Sequence, residues 1–307
     1  MSEFDWSVDS IENLENKVII VTGGNTGLGF EAAQIFANHH ATVVLACKSV
    51  ERAKAAKKKI LENKDTGTID IIPLDLGDLA SIKAFVKAYK TKYSRLDVLL
   101  NNAGIMVTPY QLTKDGFESQ TGINHLGHFA LTALLFDLIK KTPNSRIVNV
   151  SSSAHKMAKI DFQNYLFENG GYGKFKAYGR SKLSNLLFTY ELSRRVADKK
   201  LNITILAAHP GVAKTELGRH MRQGGILKPI YWIFNKVTQT AYQGALPEIR
   251  AALDPNAQSG EYYGPKKAAG KEMKPAVVES SKRSHNLEDA NKLWVLSEKL
   301  TNVKFDI

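Results

Sequence analysis

The chain has 307 residues, of which 43% are apolar and 23% charged, so it can bury a sizeable core and is neither a peptide nor a disordered tail. Its one cysteine, Cys47, excludes an internal disulfide and a cysteine-rich zinc site, and is typical of a reducing compartment. The net charge of +12 can attract phosphorylated small molecules, but the lysines are not interleaved with aromatics, so no nucleic-acid partner is expected.

Residues 1–16 form a polar N-terminal extension with several acidic side chains. They lack the basic and apolar regions of a signal peptide. No stretch of the chain approaches about 20 consecutive apolar residues, the length that spans a bilayer. We therefore expect a cytoplasmic protein without an integral membrane segment.

From Lys17 onward, short β-branched runs alternate with longer helical patterns, which is typical of βαβ units. Each crossover should be right-handed, with its helix covering one face of the sheet. The pattern predicts an α/β fold, a Rossmann-like doubly wound parallel seven-stranded sheet with helices on both faces, in a single domain over residues 17–307. The predicted strands are Val18–Val21, Thr42–Ala46, Ile69–Pro73, Val98–Asn101, Ile147–Ser151, Ile203–Ala207 and Glu261–Tyr263.

A glycine-rich turn lies between the first predicted strand and the helical pattern that follows it. Backbone N–H groups and the helix dipole at such a turn can hold a pyrophosphate, and glycine lets the backbone approach without a Cβ in the way. This turn predicts a dinucleotide site. Its candidate contacts are Gly23, Asn25, Thr26, Gly27, Leu28 and Gly29.

The end of the second strand indicates which dinucleotide is bound. An acidic residue there would pair with the ribose hydroxyls of NAD and repel a 2′-phosphate. Here Cys47 is followed by Lys48, and Arg52 lies one turn further on, so a 2′-phosphate meets favourable charge. The sequence therefore favours NADP(H), although both cations could simply be solvated residues at a helix start.

Tyr178 and Lys182 lie four residues apart in a helical pattern, so they stand one turn apart on one face. A tyrosine with a pKa of about 10 is a poor acid–base catalyst near neutrality unless a neighbouring ammonium favours its phenolate. Taken alone, such a pair is usually a surface pair. The other motifs of the chain give it a catalytic interpretation.

The glycine-rich turn is followed in order by Asn101–Gly104, Asn124, a serine cluster after the fifth strand, and Tyr178 with Lys182. This combination resembles the short-chain dehydrogenase/reductase family. The closer patterns resemble its retinol-dehydrogenase-like and carbonyl-reductase branch: Asn124-His125-Leu126-Gly127-His128-Phe129, Val148-Asn149-Val150-Ser151-Ser152 and His209-Pro210-Gly211-Val212.

The resemblance implies a role for each catalytic candidate. Tyr178 would be the proton donor in reduction, and Lys182 would lower its pKa and bind the nicotinamide ribose. Ser152 would bind the substrate oxygen, with Ser151 or Ser153 as alternatives if the alignment slips by one residue. Asn124 would hold a water in the proton relay, and no metal is needed.

The resemblance also implies further contacts to the cofactor. They lie after the third, fourth and sixth strands: Asp75, Leu76, Asn101, Asn102, Ala103, Gly104, Pro210, Gly211, Val212 and Thr215.

The expected function is NADPH-dependent reduction of ketones or aldehydes to alcohols. The apolar run Ile230–Phe234, inside a predicted substrate-binding lid over residues 212–245, favours a hydrophobic or bulky substrate. Two alternatives stay open, a retinol/retinal or steroid dehydrogenase and a non-catalytic dinucleotide-binding regulator. The expected partner is a small carbonyl or alcohol, and the choice between monomer and homodimer stays open.

Overall fold

The computed structural model describes residues 6–211, 239–268 and 273–307. Within them lies one sheet with the strand order β3-β2-β1-β4-β5-β6-β7-β8. Its strands are β1 (Val18–Thr22), β2 (Thr42–Cys47), β3 (Ile69–Pro73), β4 (Val98–Asn101), β5 (Ser145–Val150), β6 (Ile203–Ala208), β7 (Tyr262–Lys267) and β8 (Met273–Val277). The predicted doubly wound α/β fold is confirmed.

The prediction of seven strands was short by one. The eighth, β8, is antiparallel to β7, whereas the other strand pairs of this sheet are parallel. Pro265 and Pro275 face each other in the pair, and proline within a run argues against a strand because it donates no ladder hydrogen bond. Proline is tolerated in a strand at the edge of a sheet. This explains why the sequence did not predict β8 and why the chain can still form it.

Helices cover both faces of the sheet. They are α1 (Gly27–Asn38), α2 (Val50–Ile60), α3 (Leu79–Lys92), α4 (Ser119–Thr121), α5 (Gly127–Lys141), α6 (Lys174–Asp198), α7 (Ala241–Leu253) and α8 (Leu287–Thr301). Successive residues of β1 point to opposite faces: Ile19 belongs to the core cluster that contains residues of α1, α2 and α7, and Ile20 to the cluster that contains residues of α3, α5, α6 and α8. Burial on both faces explains why the central strands are continuous apolar runs.

The strand order reverses between β1 and β4, because the chain winds outward from β1 in one direction and from β4 in the other. Ligands of open α/β sheets bind at such a reversal, beyond the carboxyl ends of the strands. Thr22, Asn101 and Val150 end β1, β4 and β5 at this edge. The fold thus places the glycine-rich turn and the serine cluster side by side.

One helical stretch within the described residues, Ser119–Lys141, is long and apolar enough to cross a membrane, with a mean hydropathy of 1.2. However, 83% of it is buried inside the protein, where Leu131 and Phe136 pack in the core beneath the sheet. The absence of a membrane segment and the cytoplasmic location stay predictions.

The structure describes most of the N-terminal extension but only part of the predicted lid. In the N-terminal extension, Trp6, Val8 and Ile11 pack against the core and Leu14 is buried. Of the predicted lid, residues 212–238 lie outside the described residues, and α7 begins at Ala241. The lid, including Ile230–Phe234, stays a prediction.

Candidate active site

A cavity of about 530 Å³ opens at the carboxyl edge of the sheet, between the glycine-rich turn and the ends of β2, β3 and β4. It brings together thirteen of the predicted cofactor contacts: Gly23, Asn25, Thr26, Gly27, Leu28, Gly29, Lys48, Arg52, Asp75, Leu76, Asn102, Ala103 and Gly104. The cavity is also lined by residues that were not predicted as contacts, which are Ala46, Cys47, Ser49, Leu74, Ile105, Met106, Thr108, Gln111 and Ile123. Four of them, Cys47, Ser49, Leu74 and Ile105, are direct neighbours of predicted contacts.

Two glycines of the turn are required by its geometry. Gly27 begins α1 with φ = +57°, a conformation that costs glycine little. A Cβ on Gly29 would lie 2.7 Å from the Gly23 carbonyl oxygen and closer still to the Asn102 amide. The turn is therefore pressed against the loop after β4, and its backbone forms one wall of the cavity.

Thr22 fixes these two loops together. Its hydroxyl accepts hydrogen bonds from the backbone N–H groups of Asn102 (2.9 Å) and Ala103 (3.0 Å). The Nε2 atom of His128 lies 3.0 Å from the same hydroxyl, and its Nδ1 atom lies 3.0 Å from the Asn124 carbonyl oxygen. Burial lowers the pKa of His128 to about 4, so its ring is neutral and joins the two sides of the site.

The structure does not bring every predicted contact to the cavity. Asn101 is 2% exposed, and its amide donates to Thr132 (3.1 Å) and Asn149 (2.8 Å) in the core. Pro210 and Gly211 follow β6 without lining the cavity, and Tyr178 and Lys182, which were also predicted as cofactor contacts, do not line it either. Val212 and Thr215 lie outside the described residues.

The end of the cavity beside α2 carries mixed charge. The Lys48 ammonium lies 2.8 Å from the Asp75 carboxylate, and its side chain is 75% exposed. Arg52 lies in the first turn of α2, where the Ser49 hydroxyl accepts from its backbone N–H. Burial raises the pKa of Cys47 to about 11, so the thiol stays neutral and leaves the two cations to set the local charge.

Tyr178 and Lys182 stand on consecutive turns of α6, and both are buried. The Lys182 ammonium donates to the Val150 carbonyl at 2.9 Å and lies 5.9 Å from the centre of the Tyr178 ring. Burial lowers the pKa of Lys182 to about 8, while the carboxylate of Glu248 acts in the opposite direction. Lys182 thus carries its charge at neutral pH.

The Tyr178 phenol is protonated at neutral pH. Burial raises its pKa above the ordinary value, and the hydrogen bond with Ser152 lowers it only in part. The phenol can therefore donate a proton, as the predicted role in reduction requires. The expectation that Lys182 lowers the pKa of Tyr178 stays a prediction.

The three consecutive serines have different surroundings. Ser152 reaches the Tyr178 phenol, and its hydroxyl accepts from the Ala154 backbone N–H at 3.2 Å. The Ser151 hydroxyl is buried and donates to the Lys182 carbonyl at 2.8 Å, whereas Ser153 is exposed. The geometry favours Ser152 as the residue that faces a substrate.

Asn124 lies in a π-helical turn, Gly122–Leu126, between α4 and α5, a distortion that occurs often at functional sites. Its side-chain oxygen accepts from Ile105 N–H at 2.8 Å, and its NH₂ group donates to the Ile105 carbonyl and the Ser181 hydroxyl. Asn124 therefore ties the loop after Gly104 to α6. Its predicted hold on a water stays a prediction.

No group of three or more His, Cys, Asp or Glu side chains suited to a metal ion occurs in the part of the chain that the structure describes. His125 has its Nε2 atom 3.0 Å from the Ser297 hydroxyl.

Comparison with known proteins agrees with this geometry. Residues 17–166 match the model of the family described as short chain dehydrogenase. Human retinol dehydrogenase 11 is 38% identical over 299 residues, covering 97% of this chain and 89% of that protein. Human retinol dehydrogenase 13 is 38% identical over 297 residues, covering 95% and 86% respectively.

Solved structures share the fold. An uncharacterised protein from Mycobacterium paratuberculosis is 35% identical, with a TM-score of 0.81 over 98% of this chain and 99% of that one. A short chain dehydrogenase from Shigella flexneri complexed with NADP is 22% identical, with a TM-score of 0.65 over 83% and 99%. The chain belongs to the short-chain dehydrogenase family, in its retinol-dehydrogenase-like branch, and is an oxidoreductase that acts on alcohol and carbonyl groups.

Proposed function

We propose that this chain is an NADP(H)-dependent reductase that converts ketones or aldehydes with apolar substituents into alcohols. The observation that carries the proposal is the position of buried Lys182, one turn after Tyr178 on α6: its ammonium donates to the Val150 carbonyl, two residues before Ser152, and lies 3.6 Å from where a Cβ on Gly104 of the cavity wall would stand. These groups can bind and protonate a carbonyl oxygen.

The cavity fits a nicotinamide dinucleotide. Its volume of about 530 Å³ lies in the range of small-molecule pockets, and its glycine-rich wall exposes backbone N–H groups at the start of α1. Lys48 and Arg52 line one end, and no carboxylate follows directly after β2. The cations favour the dinucleotide with a 2′-phosphate, which when bound supplies hydride to the carbonyl carbon.

Side chains of this protein would stabilise and protonate the carbonyl oxygen. The hydroxyls of Ser152 and Tyr178, whose hydrogen bond lowers the pKa of the phenol, could both donate hydrogen bonds to a carbonyl oxygen and stabilise the negative charge that develops on it. Tyr178 then donates its proton to that oxygen. The Lys182 ammonium, held by the Val150 carbonyl, keeps positive charge near the phenolate that remains.

Apolar side chains near these groups favour an apolar substrate. Ile105 and Met106 line the cavity next to the loop that Asn124 fixes. Phe175 is 59% exposed one turn before Tyr178 on α6, and Met157 is 85% exposed shortly after Ser152. Ile105 and Met106 give the cavity an apolar wall, and this wall is the feature that favours an apolar substrate.

A retinoid is the second candidate substrate. Two human relatives that cover nearly the whole chain, at 38% identity, are named retinol dehydrogenases. The same hydroxyl and ammonium groups would then interconvert retinal and retinol. A carbonyl panel that includes retinal separates the two candidates.

The test is a fluorescence titration with NADPH and NADH, followed by a panel of aryl ketones, aldehydes, quinones and retinal. We expect tighter binding of NADPH and its oxidation by one class of carbonyl. Preference for retinal over every ketone would favour the retinoid alternative. If neither nucleotide bound, the proposal would fail at the phosphate turn.

Replacing Lys48 or Arg52 with Ala should weaken NADPH binding by about 10- to 100-fold, because each loses a charged contact to a phosphate worth about 1.5–3 kcal/mol. NADH binding should change little. Lys54→Ala is the matched control, since Lys54 is exposed on the same helix and does not line the cavity. Equal losses for both nucleotides would argue against a 2′-phosphate site.

The pH dependence of reduction should follow Lys182. Burial lowers the pKa of this ammonium to about 8, so its charge is present below that pH and is lost above it. We expect kcat/KM for reduction, which reports the free enzyme, to fall as the pH rises through about 8. A profile that stays flat up to pH 10 would show that the charge on Lys182 is not needed.

A further inference from the structure

His155 is a buried side chain directly behind the serine cluster that the chemistry above does not use. It lies in the 3-10 helix Ser153–Met157 and is 0% exposed. Its Nδ1 atom lies 2.6 Å from the Ser152 carbonyl oxygen, and its Nε2 atom lies 3.1 Å from the backbone nitrogen of Ser281. Both ring nitrogens are therefore engaged, one with the active site and one with the segment after β8.

These partners fix the tautomer of the ring. The Ser281 N–H can only donate, so Nε2 of His155 must accept and carries no proton. The Nδ1 atom then carries the proton and donates it to the Ser152 carbonyl. Burial lowers the pKa of His155 below its ordinary value, which keeps the ring in this neutral form.

The Ser152 carbonyl is held by His155 alone among the hydrogen bonds found in the described residues. It also accepts from the His155 backbone N–H at 3.1 Å, so this one residue fixes the peptide group twice. Ser152 itself has an extended backbone (φ −159°, ψ 155°), and a hydrogen bond with its side chain lowers the pKa of Tyr178. A shift of this peptide group would carry the hydroxyl with it.

The segment that contains Ser281 is held in place by several hydrogen bonds to the rest of the protein. In the segment Val278–His285, the Val278 N–H donates to the Tyr262 carbonyl at 2.8 Å, and Arg283 donates to the Ala158 carbonyl at 3.0 Å. The Ser280 hydroxyl lies 2.8 Å from the Tyr190 phenol on α6. This segment gives the ring a rigid support.

We propose that His155 is a positioning residue: it holds the Ser152 peptide so that the serine hydroxyl meets Tyr178, while Ser281 keeps the ring in the tautomer that donates to Ser152. The inference rests on the role proposed for Ser152 and names a residue that acts through it. A misplacement of reacting groups by about 1 Å can cost about 100-fold in rate, so such a support has a measurable effect.

Two variants separate the two bonds of the ring. The amide of Asn can reach the position of Nδ1, and the amide of Gln can reach that of Nε2. His155→Asn therefore keeps the bond to Ser152 and loses the bond to Ser281, whereas His155→Gln does the reverse. We expect kcat to fall about 10- to 100-fold in His155→Gln and by less than about 3-fold in His155→Asn, with KM and NADPH affinity unchanged in both.

A second measurement, an NMR chemical shift, does not depend on turnover. The chemical shift of the Tyr178 phenol carbon in ¹³C-tyrosine-labelled protein, assigned with Tyr178→Phe, reports the hydrogen bond between Tyr178 and Ser152. We expect this shift to move in His155→Gln and to stay in place in His155→Asn, at similar Tm.

The possible outcomes distinguish the proposed role of His155 from the proposed function of the chain. If the wild-type chain reduced no carbonyl, the proposed function would fail, and the phenol shift would still decide the role of His155. If both variants left the shift unchanged, or lost kcat equally and in proportion to their loss of Tm, the ring would be a packing element and the inference would be wrong.

Discussion

Tyr178→Phe is expected to lower the rate of carbonyl reduction by about 1000-fold or more, in the upper range for loss of a general acid. Phenylalanine keeps the buried ring and removes only the hydroxyl that contacts Ser152. The remaining groups can still bind nucleotide, because the cavity is lined by the glycine-rich turn and strand ends rather than by this ring. We expect kcat to collapse while the Kd for NADPH stays within about 3-fold of wild type.

Stopped-flow oxidation of NADPH and nucleotide fluorescence measure the two quantities separately. Tyr165→Phe is the matched control, since it removes a buried phenol that contacts Ser184 on another face of α6. It should lose some stability and keep its turnover. A Tyr178→Phe variant that still turned over at the wild-type rate would show that another group donates the proton.

Local patterns were enough to predict most of the fold. The strands β1 to β6 are apolar and mostly β-branched runs between helical patterns, and each such run was recognisable by itself. The strand β8 was not, because Lys274 and Pro275 carry no strand signal, and the strand forms by pairing with β7. Its pairing is a tertiary effect that overrides the local preference.

In the candidate site, too, some residues could be predicted from local sequence and others could not. Gly27 and Gly29 were predictable, because a phosphate turn needs glycine at a position with positive φ and at a close approach. His128 and His155 were not, because each acts through partners distant in the chain, Thr22 for one and Ser281 for the other. Asn101 shows the opposite case, since it lies in β4 next to residues that line the cavity while its own amide donates to side chains in the core.

The pair of Lys48 with Asp75 also lies beyond what the sequence could indicate. Each residue was predicted separately, Lys48 as a contact to a 2′-phosphate and Asp75 as a further contact to the cofactor. The structure places them 2.8 Å apart across the ends of β2 and β3. The acid therefore does not repel a phosphate as an unpaired carboxylate would, and preference for NADP(H) remains the favoured prediction.

Ser152→Ala is the second change for which we expect a large effect, a loss of about 100- to 1000-fold in kcat, the range found for removal of one donor that stabilises an oxyanion. A hydrogen bond with the Ser152 hydroxyl lowers the pKa of Tyr178. Ser151 cannot replace this hydroxyl, because its own hydroxyl donates to the Lys182 carbonyl. The variant also loses the bond from the Ala154 N–H, a capping contact worth about 1 kcal/mol of stability.

The neighbouring serines supply the controls. Ser153→Ala removes an exposed hydroxyl and should leave both kcat and Tm unchanged. Ser151→Ala removes the buried bond to the Lys182 carbonyl, so it should lower Tm more than kcat. Steady-state kinetics and thermal melts on the three variants compare these effects. A larger loss of kcat in Ser151→Ala or Ser153→Ala than in Ser152→Ala would assign the substrate contact to that serine, and would also remove the reason for expecting His155 to matter through Ser152.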